Sequence, residues 1–398
     1  MSSALMPTYA RLDVAFQRGQ GSWLEDTRGR WYLDALSGIA VCGLGHAHPA
    51  VARAVAEQAE TLVHTSNLYQ VPHQISLGER LCMLSGLEQV FFANSGAEAN
   101  EAAIKLARLH GYRRGIADPE IIVADNAFHG RTLGALAATG NKKAQTGFGP
   151  LPAGFRRVPY GDIDAVEAAA SPKTAAVLVE PIQGEGGINV PPVGYLTALR
   201  DCCDRHGWLL MLDEVQSGVA RTGQWFAYQH EAAKPDVVTL AKALANGVPI
   251  GACLAGGQAR DVLGPGSHGT TFGGNPLSAR AALAVLDTIE VEGLAARAAA
   301  LGDRIREGLR HGLSDHPQLV EIRGKGLMVG VEMRDPCGQL VGQALEAGLL
   351  INVTAGRVIR LLPPLILSDA EADELVSRLL PLIQNIAPAA QPSRASSA

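Results

Sequence analysis

Short apolar segments alternate with amphipathic segments between about residues 90 and 256, and this alternation restricts the fold more than any other feature. The apolar segments are bounded by polar or turn residues, as buried strands are. Four of them are Ile121–Val123, Ala176–Val179, Trp208–Leu212 and Val237–Leu240. The stretches Ala97–Tyr112 and Val193–His206 have the spacing of helices. This order predicts an α/β fold with a largely parallel sheet between helices.

The C-terminal third has a different pattern and predicts a second, smaller α+β domain. An Ala- and Arg-rich helical stretch at 283–312 is followed by strand-like runs at Ile322–Met333 and Leu349–Leu362. The predicted units are an N-terminal segment packing with the small domain (1–50), a large domain (51–280), the small domain (281–385) and a disordered tail rich in Ala, Pro and Ser (386–398).

Composition and charge exclude several classes of protein. Hydrophobic residues make up 47% of the chain and charged residues 18%, as in a globular protein. The formal net charge is -5, and basic residues cluster only in short groups such as Arg113–Arg114 and Arg156–Arg157. A mildly acidic chain without a basic patch is not expected to bind nucleic acid or an anionic membrane.

The six cysteines show no C-x-x-C spacing, which argues against a zinc site or a disulfide framework. We therefore expect no metal and a reducing, cytoplasmic location. The N-terminal residues lack the apolar core of a signal peptide, and no apolar run approaches the ~20 residues that span a bilayer.

Polar side chains follow three of the predicted strands, where open α/β sheets bind ligands. They are Glu180, the pair Asp213–Glu214, and Lys242. Of the seven lysines, only Lys242 lies within a nearly continuous apolar stretch. Burial disfavours the charged amine, and a neutral amine is what Schiff-base chemistry requires. The alternative is a lysine whose stem follows apolar surface out to solvent.

The segment Asn94–Asn100 follows an apolar run and predicts a helix N-terminus. Ser95 is the expected N-cap, and Glu98 three residues later completes a capping-box pattern. Gly96 allows a ligand to approach the free N–H groups, which favour an anion such as phosphate. A capped helix without a ligand is the alternative. The absence of G-x-G-x-x-G and Walker sequences disfavours dinucleotide and P-loop sites.

Phe128 and Arg131 follow the predicted strand at 121–124. Phe128 could stack on a planar ring, or simply pack in the core. Arg131 could hold a carboxylate with two donors. Pyridoxal phosphate requires a lysine, an anion site and a carboxylate facing its ring nitrogen. The features above supply each of these, and the separation of Asp213 from Lys242 fits one strand–helix–strand step between neighbouring strand ends.

Seven motifs, in order, resemble the class III (ornithine-type) aminotransferases, which are pyridoxal phosphate enzymes of fold type I. The resemblance covers about Tyr9 to Leu367. The motifs are Gly45–Pro49 (GHAHP), Asn94–Glu101, Phe128–Thr132, Val179–Gly187 (VEPIQGEGG), Leu212–Gln216 (LDEVQ), Lys242–Leu244 and His268–Pro276 (HGTTFGGNP). Each motif is weak alone, but the ordered set is specific. Within the family, the branch that acts on N-acetylornithine in bacterial arginine synthesis is the most similar.

The resemblance implies how pyridoxal phosphate is held. Lys242 forms the Schiff base and moves the proton, and Asp213 pairs with the ring nitrogen. Phe128 is expected on one face of the ring, and Val215 and Gln216 at the other face and at the phenolic oxygen. The phosphate is expected to contact Ser95, Gly96 and Ala97. Thr271 of the neighbouring subunit is expected to reach the same phosphate. The implied assembly is therefore a homodimer with shared active sites.

The resemblance also implies how substrates are held. Arg131 grips the distal carboxylate, and Arg360 grips the α-carboxylate of 2-oxoglutarate. Glu185 pairs with Arg360 while the amino donor is bound, and swings away for the keto acid. The alternative is that Glu185 and Arg360 form a permanent structural ion pair. Thr270 is expected near the substrate, and Tyr9 is a candidate contact for the donor.

The implied reaction moves the ω-amino group of N-acetylornithine to 2-oxoglutarate and gives N-acetylglutamate 5-semialdehyde and glutamate. Two departures from the family pattern bear on this. Ala97 stands where Thr or Ser is frequent, and Ile39 stands where ornithine enzymes have an aromatic residue, which argues against free ornithine. Succinylornithine, succinyldiaminopimelate, ornithine and 4-aminobutyrate stay open as donors. The paired arginines disfavour an aminomutase or a decarboxylase, and the intact Lys242 and Asp213 disfavour a binding protein without cofactor.

Overall fold

A computed structural model of the chain describes residues 4–386. The predicted tail at 386–398 lies, apart from its first residue, outside the described residues and stays a prediction. The strands of the described part are β1 (Phe16–Gln20), β2 (Trp23–Asp26), β3 (Trp31–Asp34), β4 (Gln89–Ala93), β5 (Glu120–Ala124), β6 (Phe155–Val158), β7 (Thr174–Val179), β8 (Leu209–Asp213), β9 (Val237–Leu240), β10 (Gly251–Ala255), β11 (Leu319–Lys325), β12 (Met328–Met333), β13 (Leu349–Leu350), β14 (Asn352–Thr354) and β15 (Val358–Leu361).

The helices pack on the sheets and connect their strands. Within residues 4–386 they are α1 (Ser37–Ala40), α2 (Pro49–Thr61), α3 (Pro72–Ser85), α4 (Gly96–Arg113), α5 (Leu133–Ala138), α6 (Lys142–Gln145), α7 (Ile163–Ala168), α8 (Tyr195–His206), α9 (Pro276–Val291), α10 (Leu294–Leu313), α11 (Leu340–Glu346) and α12 (Asp369–Gln384). The two predicted helices nearest the candidate site, α4 and α8, are confirmed to within two residues at each end.

The central sheet has seven strands in the order β4-β10-β9-β8-β7-β5-β6. Strands β5 to β9 run parallel, and β10 is antiparallel to both of its neighbours. The predicted α/β fold with a largely parallel sheet is confirmed. Because β10 reverses direction between β4 and β9, strand β4 runs in the same direction as the parallel strands. The carboxyl ends of β4, β5, β7, β8 and β9 therefore meet at one edge of the sheet.

Both faces of the central sheet are buried. Every residue of β7, β8, β9 and β10 is buried. Alternate residues enter two separate apolar clusters, with Val177 and Leu210 in one and Ala176 and Leu209 in the other. Strands with helices on both sides read as continuous apolar runs. This is why the sequence predicted β7, β8 and β9, although it did not predict β10.

Two smaller sheets accompany the central one. The first has the order β1-β2-β3-β13 and joins N-terminal strands to a strand from the C-terminal third. The second is antiparallel, with the order β11-β12-β15-β14. The first sheet is consistent with an N-terminal segment that packs with the small domain, while the domain boundaries themselves stay a prediction.

Two observations bear on the expected cellular setting. All six cysteines lie in the described part of the chain and are unpaired. Between residues 4 and 386, no helix combines the length and the apolar character needed to cross a membrane.

Candidate active site

A cavity of about 380 Å³ lies at the edge of the central sheet where the strand ends meet. Ten of the residues predicted from the sequence line it: Ser95, Gly96, Ala97, Phe128, Arg131, Glu185, Asp213, Val215, Gln216 and Lys242. A larger groove of about 890 Å³, lined by Lys105, Arg108 and Tyr112 among others, contains none of the predicted site residues. The chemistry-bearing side chains are therefore concentrated in the smaller cavity.

Asp213, at the end of β8, is held rigidly. Its Oδ2 accepts hydrogen bonds from Asn100 Nδ2 at 2.7 Å and His129 Nδ1 at 2.8 Å, and its Oδ1 accepts from the Val215 N–H at 3.0 Å. Thr239 in turn donates to Asn100 Oδ1 at 2.8 Å. A buried carboxylate requires such donors, because burial without them is costly. The network fixes the carboxylate as an acceptor for a group inside the cavity.

Sequence reasoning gave no role to Asn100 or His129. Both lie within motifs that it singled out, and the available signal was a polar residue inside an otherwise small or apolar segment. Their partner Asp213 is more than 80 residues away in the sequence, so the contact itself was not visible there.

Lys242 begins a turn directly after β9, with a φ of 43°. This left-handed conformation is unfavourable for a residue with a side chain, and such strain is often found at functional positions. Burial lowers the pKa of the amine, although the charge of Glu185 opposes that effect. No described residue forms a hydrogen bond or ion pair with Nζ. The cavity therefore contains a buried lysine without a described partner, and burial lowers its pKa.

Asp213 and Lys242 lie near the ends of neighbouring strands, as expected. Asp213 pairs with Thr239, three residues before Lys242. The expected helix between these strands is wrong, because the described connection contains a short 3₁₀ turn at Ala227–His230 and no α-helix. The adjacency depends on the sheet order alone, so it survives this correction.

The N-terminus of α4 forms one wall of the cavity. Ser95 Oγ accepts from the Glu98 N–H at 3.2 Å, which confirms the predicted N-cap. The predicted capping box is wrong in its second bond, because the Glu98 carboxylate accepts from the Asn94 N–H at 2.7 Å and not from that of Ser95. The first N–H groups of a helix lack intrahelical partners and carry partial positive charge. This wall therefore suits a phosphate.

Gly96 is fixed by the packing of its neighbour. A Cβ added at this position would lie 2.7 Å from Val215 Cγ1, closer than side-chain atoms approach. The glycine therefore brings the start of α4 against the residue that follows Asp213 and Glu214. This contact joins two walls of the cavity. One is the start of α4, where the phosphate is expected, and the other is Val215, which is expected to face the cofactor ring.

Glu180 ties together two loops of the cavity. Its Oε1 accepts from the Phe128 N–H at 2.9 Å, and its Oε2 accepts from the Gly184 N–H at 3.0 Å. Burial raises the pKa of Glu180 to about 7.

The Arg131 guanidinium lies 5.4 Å from the centre of the Phe128 ring. Arg131 is exposed and forms no ion pair with any described residue, so it is available to an anionic ligand.

Glu185 and Arg360 form an ion pair at 2.6 Å between Oε1 and Nη1. The Arg360 side chain is fully buried, and it also donates to Gln216 Oε1 at 3.3 Å and Asn352 Oδ1 at 3.0 Å. Its Nη2 has no partner among the described residues. Burial acts to raise the pKa of Glu185, but the charge and hydrogen bond of Arg360 outweigh it, so that the pKa is lowered.

Four predicted residues do not line the cavity of the single chain: Arg360, which reaches it through its partner Glu185, and Tyr9, Thr270 and Thr271. Tyr9 is 74% exposed, and Thr271 is also exposed. Thr270 is half-buried and accepts a hydrogen bond from Asn94 Nδ2 at 3.2 Å. The roles given to these residues, like those of the residues that line the cavity, stay predictions.

One group outside the cavity brings together side chains of the kinds that bind metals. Donor atoms of Glu167, Cys202 and His206 lie within 4.8 Å of one another in the described structure. The Glu167 carboxylate is already paired with Arg205 and with His206, the latter at 3.0 Å. Burial raises the pKa of the Cys202 thiol to about 12, so the thiol stays protonated. The expectation that no metal takes part stays a prediction.

The side chains of the cavity fit pyridoxal phosphate. A lysine without a described partner, a helix N-terminus suited to an anion, a fixed carboxylate and an aromatic ring converge on one space. The family model for class-III aminotransferases matches residues 6–383. The chain belongs to the class-III aminotransferases. Membership of this family confirms pyridoxal phosphate as the cofactor, and its substrates are small molecules.

Relatives of this family member resemble it over nearly the whole chain. Acetylornithine aminotransferase 1 of Bordetella bronchiseptica is 57% identical over 386 residues, which is 96% of this chain and 98% of the relative. The acetylornithine aminotransferase of Elizabethkingia anophelis has a TM-score of 0.85 at 36% identity, covering 96% of each chain.

A solved ornithine aminotransferase from Toxoplasma gondii has a TM-score of 0.92 at 37% identity, covering 96% of this chain and 92% of its own. That structure has pyridoxal phosphate in partial occupancy at its active site. Both acetylornithine and ornithine enzymes thus share the fold, so the fold alone does not select the amino donor.

Proposed function

We propose that this class-III aminotransferase transfers the ω-amino group of N-acetylornithine to 2-oxoglutarate, as a step of arginine synthesis. The products are N-acetylglutamate 5-semialdehyde and glutamate. The observation that carries the proposal is the ion pair between the buried Arg360 and the partly exposed Glu185, which lines the same cavity as Lys242. The names of the relatives at 57% identity support N-acetylornithine as the donor.

The cofactor would be held by four parts of the cavity. Lys242 provides the amine, and the N-terminus of α4 at Gly96 and Ala97, with Ser95, receives the phosphate. Asp213 holds a proton on the ring nitrogen, and Phe128 and Val215 enclose the ring. Bound in this way, pyridoxal phosphate supplies the electron sink for amino-group transfer. Lys242, as a neutral amine, would take a proton from the amine-bearing carbon of the substrate and deliver it to the cofactor.

Donor and acceptor place different demands on the two arginines. N-acetylornithine carries one carboxylate far from its reacting amine, which suits the exposed Arg131 at the mouth of the cavity. Because Glu185 neutralises Arg360, the α-amino acid end of a donor is not drawn toward Lys242. 2-Oxoglutarate carries two carboxylates, and its α-carboxylate would displace Glu185 and pair with Arg360. The Glu185–Arg360 pair, which we call the gate, thus allows the site to accept an ω-amine and a dicarboxylic keto acid in turn.

The proposal includes a homodimer in the cytoplasm. Thr271 is exposed on the single chain and lies outside its cavity, as a residue serving a neighbouring site would. The six unpaired cysteines support a reducing compartment.

Formation of glutamate from N-acetylornithine and 2-oxoglutarate tests the proposal. The purified chain with pyridoxal phosphate should form glutamate, and Lys242→Ala should reduce turnover by at least ~10³-fold because the nucleophile is lost. Lys173→Ala, which removes an exposed lysine paired only with Asp118, is the matched control and should keep full activity. Normal turnover by Lys242→Ala, or no glutamate from the unmodified chain, would contradict the proposal.

A further inference from the structure

The loop that carries Glu185 is fixed along its backbone. Gln183 and Asn189 exchange two backbone hydrogen bonds of 3.0 and 3.1 Å across its base. Thr354 Oγ1 donates to the Glu185 carbonyl, and Asn189 Nδ2 donates to the Gly186 carbonyl at 3.1 Å. The side chain of Glu185 is nevertheless one third exposed. The loop therefore carries a partly exposed carboxylate on a backbone that is held by hydrogen bonds.

Arg323 of β11 holds the next two carbonyls of this loop. Its Nη2 donates to the Gly187 carbonyl at 2.7 Å, and its Nε donates to the Ile188 carbonyl at 2.9 Å. The other edge of the guanidinium pairs with Glu332, and with Glu321 at 2.9 Å. Only 12% of the Arg323 side chain is exposed. Lysine could not replace this contact, because its ammonium group lacks the planar fork.

Arg323 and Arg360 belong to one row of residues across the antiparallel sheet. Arg323 pairs with Gly330 of β12, and Gly330 pairs with Arg360 of β15. Directly opposed residues of an antiparallel sheet project from the same face. The two arginines therefore flank Gly330 on one face. A Cβ at Gly330 would lie 2.9 Å from Ile188 Cβ, so Ile188 sits over the glycine between the arginines.

We infer that Arg323 is a positioning residue for donor selection, and that it acts by fixing the backbone from which Glu185 reaches Arg360. This inference rests on the proposed function of Glu185. One row of the sheet supplies all three requirements of the gate: Arg360 supplies the charge, Gly330 the space for the loop, and Arg323 the fixed loop position. The strength of a charge pair falls with the separation of its atoms, so a displaced loop weakens the neutralisation of Arg360. The gate then operates by rotation of the Glu185 side chain and not by movement of the loop.

Single-turnover measurements of donor preference test the inference. The measured quantity is the ratio of kcat/KM for N-acetylornithine to kcat/KM for glutamate, followed by the absorbance of the bound cofactor. Arg323→Lys should lower this ratio at least fivefold. Arg357→Lys is the matched control, because Arg357 pairs with Glu332 at 2.6 Å and forms no hydrogen bond with the loop. This control should keep the ratio within twofold of the unmodified enzyme.

A double substitution separates positioning from general structural support. In a Glu185→Ala background, Arg323→Lys should produce no further change in the ratio, because the side chain through which it acts is gone. A merely structural role would lower both kcat/KM values together, leave their ratio unchanged and persist in that background. That result would overturn the inference.

A second variant and the donor preference of the unmodified enzyme complete the test. If Arg323→Lys does not fold, Gly330→Ala displaces Ile188 instead and should lower the ratio in the same direction; an unchanged ratio there would contradict the inference. If the unmodified enzyme shows no preference for N-acetylornithine over glutamate, the proposed function fails. If it shows the preference and Arg323→Lys retains it, only the role of Arg323 fails.

Discussion

The surroundings of Arg360 restrict the choice of ligand more than those of any other candidate site residue. Its charge is buried, its only carboxylate partner among the described residues is Glu185, and one of its N–H groups is unpaired. A buried charge is tolerated when it is paired, and losing one partner is costly. A dicarboxylic keto acid can take the place of Glu185 without leaving Arg360 uncompensated. An exchange of partners is thus physically reasonable at this site.

Arg360→Ala should damage one half-reaction selectively. Loss of a charge-assisted contact of about 1.5–3 kcal/mol should lower kcat/KM for 2-oxoglutarate roughly 10- to 100-fold. The N-acetylornithine half-reaction should change by much less, since Arg131 is expected to hold that substrate. Stopped-flow absorbance of each half-reaction measures the two effects. Equal damage to both would indicate a permanent structural ion pair.

His46 should make the stability of the protein depend on pH. Burial opposes protonation of His46, but Asp34, 2.8 Å from its Nε2, and the side chain of Cys42 together raise the pKa from 6.5 to about 9. A raised pKa stabilises the folded state fully below pH 6.5, and this contribution is lost as pH rises through 9. The shift corresponds to roughly 3–4 kcal/mol as an upper limit, because solvent screening of the partly exposed histidine reduces it.

The substitution His46→Gln isolates this contribution, because glutamine still donates to Asp34 but carries no charge. The difference in Tm between the two proteins should be large at pH 6 and should shrink by pH 9.5. Calorimetry across this range provides the measurement. A difference that does not vary with pH would mean that the pair is not ionised.

At the scale of elements, the N-terminus of α4 is the part of the site that depends most on packing. Gly96→Ala should push this helix start away from Val215, where a Cβ would lie 2.7 Å from Cγ1. Affinity for pyridoxal phosphate should fall at least about tenfold, that is about 1.4 kcal/mol, measured by titration of the apoenzyme. Gly342→Ala in α11 meets no atom within 4 Å and should leave the affinity unchanged. Unchanged affinity in Gly96→Ala would exclude this wall as the phosphate site.

Four strands of the central sheet, β5, β7, β8 and β9, could be predicted from sequence because both of their faces are buried, so that each is an apolar run. The connection from Asp213 to Lys242 was misjudged because the order of strands, and not a helix, brings these residues together. Asn100, His129 and Arg323 were given no role because each meets its partner across a long stretch of chain. Local propensity and capping patterns carry no information on such pairs, whereas resemblance identified Glu185 and Arg360 through their motifs.

At the scale of the whole molecule, the single chain leaves the loop with Thr271 outside the cavity. If Thr271 serves the neighbouring site, Thr271→Val should weaken the cofactor site of the partner subunit. A heterodimer of one Lys242→Ala chain and one Thr271→Val chain then contains one intact site. Purified with two different tags, it should have about half of the activity of the unmodified dimer. The contradicting result is a heterodimer whose activity per intact Lys242 is no higher than that of the Thr271→Val homodimer. Thr271 would then act in the site of its own subunit, or in neither site.

The most direct test of the central claim is a single-turnover comparison of amino donors on the unmodified enzyme. The donors are N-acetylornithine, ornithine, succinylornithine, succinyldiaminopimelate and 4-aminobutyrate, and the signal is loss of the absorbance of the cofactor bound to Lys242. N-acetylornithine should react at least tenfold faster than every other donor, which corresponds to about 1.4 kcal/mol of discrimination. A faster reaction with any other amine would contradict the assignment to arginine synthesis, and the absence of any cofactor absorbance would contradict the role of Lys242.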